Sequence, residues 1–97
     1  MIVTFADRAT EDLYNGVNSR EARKACPRTL WKIAGRKLDQ LDSVTTLEEL
    51  RIPPGNRLEA LRGDRDGQHG VRISSQYRIC FRWTDNGPSD LTVADYH

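Results

Sequence analysis

The sequence predicts an α+β domain: a small, twisted, mainly antiparallel sheet with N-terminal helices packed on one face. Apolar residues recur at helical spacing through the first half and at alternating spacing from Arg57 onward. Pro53-Pro54-Gly55 separates the two regimes. A length of 97 residues allows one hydrophobic core, so 1–97 reads as a single domain.

Met1 to Phe5 reads as a short opening strand of apolar β-formers. Asp7 stands where a helix N-cap belongs, and Asn15-Gly16 stops that helix early. A polar stretch follows. Cys26-Pro27 then marks a boundary, because proline suits the first turn of a helix and not its interior. Beyond it, Leu30, Ile33, Ala34, Leu38 and Leu41 form one apolar stripe, while Arg28, Lys32 and Arg36 recur every four residues on another face. Thr45 with Glu48, or Thr46 with Glu49, offers a capping box for one further turn.

In the second half, Arg57 to Leu61 reads as a short strand with Leu58 and Ala60 on one face and Arg57 and Glu59 on the other. Arg62 to Gly70 is rich in Gly and Asp and reads as a loop, with His69 exposed in it. Val71 to Ser74 and Gln76 to Trp83 read as strands joined by a turn near Ser75. Alternation sends Val71, Ile73, Tyr77, Ile79, Phe81 and Trp83 inward and turns Arg72, Arg78, Cys80 and Arg82 outward. The last strand runs from Leu91 to the closing Asp95-Tyr96-His97.

Composition excludes several classes. With 37% hydrophobic and 30% charged residues the chain is neither disordered nor membrane-spanning. No basic segment leads into an apolar one at the N-terminus, so a cytoplasmic protein is expected. Cys26 and Cys80 follow no disulfide or zinc pattern and read as two reduced thiols. The net charge of +1 hides two basic blocks. Between residues 20 and 37, seven basic side chains face Glu21 alone; between 51 and 82, seven arginines face Glu59, Asp64 and Asp66.

Arg72, Arg78 and Arg82 therefore share the sheet face turned away from the helices. Like charges on neighbouring strands repel, so an anion is expected across that face. RNA fits best. Its metal-free cleavage needs the 2′-hydroxyl to attack the adjacent phosphorus, with one group taking a proton, another giving one, and cations holding the phosphate. His97 has the imidazole suited to proton transfer near neutrality. Tyr96 could orient a phosphate, share a proton or stack on a base, Asp95 could fix His97 or an arginine, and Glu59 could accept the 2′-hydroxyl proton.

The run PPGNRLEALRGDRDGQHGVRISSQYRICFRW, followed by the closing DYH, resembles the HigB (plasmid maintenance killer) branch of the RelE/ParE toxin superfamily. The likeness extends over nearly the whole chain. It implies a RelE-like fold and a type II toxin that cuts mRNA in the decoding site of translating ribosomes, without metal or cofactor. The implied partner is a HigA-type helix-turn-helix antitoxin, through whose complex alone the toxin would meet operator DNA. Carried over by position, the active face comprises Arg62, Arg78, Asp95, Tyr96 and His97, with Arg65 and Arg72 as RNA or rRNA contacts; Arg82, on the same sheet face, is a further candidate RNA contact. Some members have histidine where this chain has Glu59, which leaves the general base open. The same superfamily also contains toxins that bind DNA gyrase, and an inactive homologue would only bind its antitoxin.

Overall fold

Asp7 ends an extended N-terminal segment and begins helix α1 (Arg8–Asn15), accepting the Thr10 N–H at 2.8 Å. Gly16 closes that helix in the left-handed conformation, as its position predicted. The chain is described by a computed structural model over residues 1–95. Helix α2 (Arg20–Ala25) occupies the stretch that read only as polar. It has six residues and buries Ala22 alone, too little for a periodic stripe; the Ser19 hydroxyl caps it.

A 3-10 turn at Arg28–Leu30 leads into α3 (Trp31–Ser43), which buries Ala34, Leu38 and Leu41 as their spacing predicted. Ile33 lies at the edge of that stripe and remains 37% exposed. Thr46 and Glu49 form the capping box of the Leu47–Arg51 turn, the second of the two pairings offered by the sequence. Backbone N–H groups of Thr46 and Thr45 hold the Glu49 carboxyl below its ordinary pKa.

The sheet has the order β1-β2-β3-β4, every pair antiparallel: β1 (Glu59–Ala60), β2 (His69–Arg72), β3 (Tyr77–Thr84) and β4 (Gly87–Asp95). The N-terminal segment adds to the outer edge of β4 as a single parallel bridge, Phe5 to Leu91, supported by Val3 N–H to Pro88 O at 2.8 Å and Ala6 N–H to Leu91 O at 2.8 Å. An opening strand was expected there; too few residues pair for a regular one. Thr10 of α1 is fully buried and its hydroxyl accepts the Val93 N–H at 3.0 Å, so a helix side chain covers the rest of that edge.

One sheet face packs on the helices. Val71, Ile73, Ile79, Phe81 and Leu91 meet Leu13, Ala34, Leu38 and Leu41 in the core, with Tyr77, Trp83 and Val93 around them. The strand expected at 57–61 shrinks to two residues because Arg57 turns left-handed, with φ 46°. Leu58 still packs on the core, but Ala60 is exposed and Leu61 is buried on the opposite face.

Two polar contacts tie these layers together. Asn56 is fully buried and bonded to α3 and to the Leu47–Arg51 turn. Its amide donates to Gln40 Oε1 at 2.9 Å and Leu50 O at 3.0 Å, and its carbonyl oxygen accepts from Lys37. Asp42 of α3 accepts the Ile2 N–H at 2.8 Å and the Tyr14 hydroxyl.

The Ile2 N–H, followed by the Tyr14 hydroxyl, holds the Asp42 carboxyl below its ordinary pKa against the opposing effect of burial. A carboxyl depressed in the folded state stabilises above its unfolded pKa of roughly 4 and loses that contribution as pH falls through the folded value. Asp42→Asn is therefore expected to lose stability at pH 7 and to show a shallower further loss on acidification than the parent. Urea denaturation at pH 7 and pH 3 measures both; parallel pH profiles would refute it.

Candidate active site

The register decides what the open face displays. Arg72 and Arg78 are direct partners across β2 and β3, next to the core pair Val71 and Ile79. Alternation then places both arginines on the face away from the helices. Two cations directly opposed are unfavourable. Glu59 of β1 relieves this by accepting from Arg78 Nη1 at 3.2 Å, while Arg72 Nε donates to Ser74 O at 3.1 Å. Glu59 is more than half exposed, so its ion pair contributes on the order of 1 kcal/mol or less and serves mainly to orient the guanidinium.

Gly70 makes room for this arrangement. A Cβ there would lie 3.3 Å from Arg78 Cδ and 3.4 Å from Leu61 Cδ2, so the absent side chain lets the Arg78 stem and Leu61 lie against β2. Cys80, opposite Gly70, is fully buried although it shares the arginine face.

A cavity of about 490 Å³ opens here, lined by Arg57, Leu58, Glu59, Gly70, Val71, Arg72 and Arg78. Its size falls in the roughly 300–1,000 Å³ range of ligand pockets. Three guanidiniums and one carboxylate can bind an anion, stabilise charge developing on it, and accept a proton.

The other expected site residues are more scattered. Arg62 is exposed and Arg65 donates to Gln68 Oε1 at 3.2 Å; both stand in the loop between β1 and β2, outside the cavity lining. Arg82 keeps the outward face of β3 but lies beyond the last residue of that strand paired with β2 and outside the cavity lining, 3.6 Å from Asp90 beside a register shift in the pairing with β4. Asp95 is the partner of Tyr77, one pair beyond Arg78 and Ala94, and accepts from Gln76 Nε2 at 3.0 Å. Tyr96 and His97 lie outside the described residues.

His69 corrects an expectation. It begins β2 opposite Phe81, half-buried, its ring stacked 6.2 Å from the phenyl ring, and not exposed in the loop. Two-residue alternation from Val71 already places it on the inward face. Arg57 was the residue missed: it was counted in the arginine block but not in the site. The short run before β1 gave no sign that its backbone would turn it toward the cavity.

A family model described as "RelE-like toxin of type II toxin-antitoxin system HigB" matches residues 3–97. The chain is 35% identical over 97 residues to Toxin HigB-1 of Vibrio cholerae serotype O1, spanning 100% of this chain and 98% of that protein. It belongs to the HigB group of RelE-like toxins of type II toxin–antitoxin systems.

An uncharacterized protein of Haemophilus influenzae is 29% identical over 79 residues, covering 81% of this HigB-like chain and 78% of its own length. Among solved structures, the YoeB-YefM complex from Staphylococcus aureus matches with a TM-score of 0.53 at 14% identity, over 100% of this chain and 98% of the matched one. That likeness extends the fold assignment beyond recognisable sequence similarity.

Among the described residues no group of His, Cys, Asp and Glu could hold a metal ion, and no helix is long and apolar enough to cross a membrane. Both cysteines are free and buried, and burial pushes the Cys26 thiol up to about 11. Cys26 is thus a core residue and not a nucleophile. A thiol reagent at pH 7.5 is expected to label neither cysteine in the folded protein and both after denaturation; rapid labelling of the folded chain would contradict this.

Proposed function

We propose that this chain is the toxin of a type II pair that inhibits translation as a metal-independent endoribonuclease cutting mRNA in the ribosomal decoding site. The observation that carries the reading is the cavity on the open sheet face, where Arg72 and Arg78 stand directly opposed with Glu59 against one of them. Family membership supplies the toxin–antitoxin setting. A helix-turn-helix antitoxin of the HigA type would neutralise it, and operator DNA would be reached only through that complex. The solved neighbours are toxin–antitoxin complexes by title, which supports such a partner. This activity belongs in the cytoplasm.

Arg78 binds the scissile phosphate, and Arg72 stabilises the charge that builds on its oxygens. The 2′-hydroxyl oxygen attacks phosphorus as its proton passes to a base. The P–O5′ bond breaks as the leaving oxygen takes a proton from His97, and the products carry a 2′,3′-cyclic phosphate and a 5′-hydroxyl. Asp95 and Tyr96 orient the donor and the phosphate. Glu59 is the candidate base. Its carboxylate holds the guanidinium that would otherwise hold the phosphate, so substrate binding to Arg78 would release it toward the 2′-hydroxyl. Arg62, Arg65 and Arg82, lying beyond the cavity, contact RNA backbone outside the scissile step. A site with so few proton-transfer groups suits a substrate that the ribosome already holds near attack geometry.

Arg78→Ala and His97→Ala are each expected to lower cleavage of ribosome-bound mRNA by at least about 10²-fold while leaving thermal unfolding nearly unchanged. Near-normal cleavage by both would remove the mechanism. Glu59→Gln separates a chemical role from an orienting one: loss of cleavage with phosphate affinity retained supports the base. In growing cells, induction should arrest protein synthesis with cut messages. DNA damage with intact messages would point instead to gyrase binding, and harmless induction to an inactive homologue.

A further inference from the structure

We infer that the mouth of the cavity holds a second phosphate subsite built on Arg57, which takes the phosphodiester next to the scissile one; this rests on the RNA-cleavage reading above. Arg57 lines the same cavity as Arg72 and Arg78. Among the described residues it has no hydrogen-bond or ion-pair partner for its guanidinium, although Arg72 has Ser74 and Arg78 has Glu59. Among the described residues lining the cavity, three guanidiniums against one carboxylate leave two positive charges in excess, matching two phosphodiesters.

The backbone points to the same role. Arg57 adopts φ 46° and ψ 51°, a left-handed conformation uncommon for a side chain of this size. Such a conformation persists where its surroundings fix it. Here the Arg57 N–H donates to Pro54 O at 3.1 Å, and the preceding residue is the buried Asn56, tied to Gln40, Leu50 and Lys37. The guanidinium therefore projects from a fixed point and not from a loose loop. Glycine would adopt this backbone with less strain, and the exposed arginine gains no packing in exchange. A phosphate ligand accounts for keeping a cation there.

The test titrates the purified protein with two uncleavable probes, a 2′-O-methyl RNA dinucleotide with one phosphodiester and a trinucleotide with two. The parent is expected to bind the trinucleotide about tenfold more tightly, with a steeper salt dependence. Arg57→Gln and Arg57→Gly should both erase the difference and reduce the salt slope for the trinucleotide by about one. Arg57→Gly should also melt at or above the parent temperature, which separates lost binding from lost folding. Equal affinity of the parent for the two lengths, no binding of either, or parental behaviour in both variants would overturn the subsite. Arg78→Ala makes the two readings separable. If it abolishes binding of both lengths while the Arg57 variants bind normally, the subsite fails and the catalytic reading stands. If it leaves binding intact while the Arg57 variants lose the length effect, Arg78 is not the ligand of the scissile phosphate and the Arg57 phosphate contact stands.

Discussion

Arg72 and Arg78 face each other across two neighbouring strands, an arrangement that two isolated strands would avoid, and the candidate site depends on their being held there. What holds them is the opposite face. Val71 and Ile79, the adjacent pair, are buried against the helices, and a slip of either strand by one residue would drive its arginine into the core and expose its apolar neighbour. The hydrophobic face thus fixes the register, and the charged face has no independent choice. Glu59 and the missing side chain of Gly70 then adjust the position of Arg78 within the register imposed on it.

The wall of the cavity that does not belong to the sheet is fixed from behind. Asn56 satisfies its buried amide with the backbone of the Leu47–Arg51 turn and with Gln40 and Lys37 of α3. Burial, with some repulsion from Arg36, lowers the Lys37 pKa, consistent with a cation partly withdrawn from water to serve a structural bond. Of the first basic block, Lys37 is therefore spent inside the fold and Arg28 lies 5.4 Å over the Trp31 ring. The second block supplies the cavity. Two runs of positive charge that look alike along the chain thus have different physical roles.

Among the described residues the cavity sets three guanidiniums beside one carboxylate. The proposed cleavage would draw on a substrate that arrives positioned, because positioning can supply about 7–11 kcal/mol of a barrier. In the proposed reading binding and chemistry separate: arginines of the loop and sheet would attract a polyanion, while among the described residues those lining the cavity lie beside Glu59.

Local rules were legible wherever the signal was short-range or periodic. Asp7 and Gly16 bounded α1, Thr46 and Glu49 formed their box, and the alternation through β3 sorted Ile79 and Phe81 from Arg78 and Arg82. The family likeness, too, rested on residues visible in the chain. Other features depended on partners distant in sequence. The six residues of α2 carry too little apolar area to show a period, and Phe5 pairs with Leu91 only because the fold brings the two ends of the chain together. No local pattern told of the register shift in the pairing of β3 with β4 beside Arg82, or of the left-handed turn at Arg57, which lines the cavity. The sequence by itself determined which residues face away from the core, since alternation and burial act between near neighbours. Tertiary structure alone decided which of those outward cations meet, because that depends on strand register and on the buried Asn56, both set by contacts between distant segments.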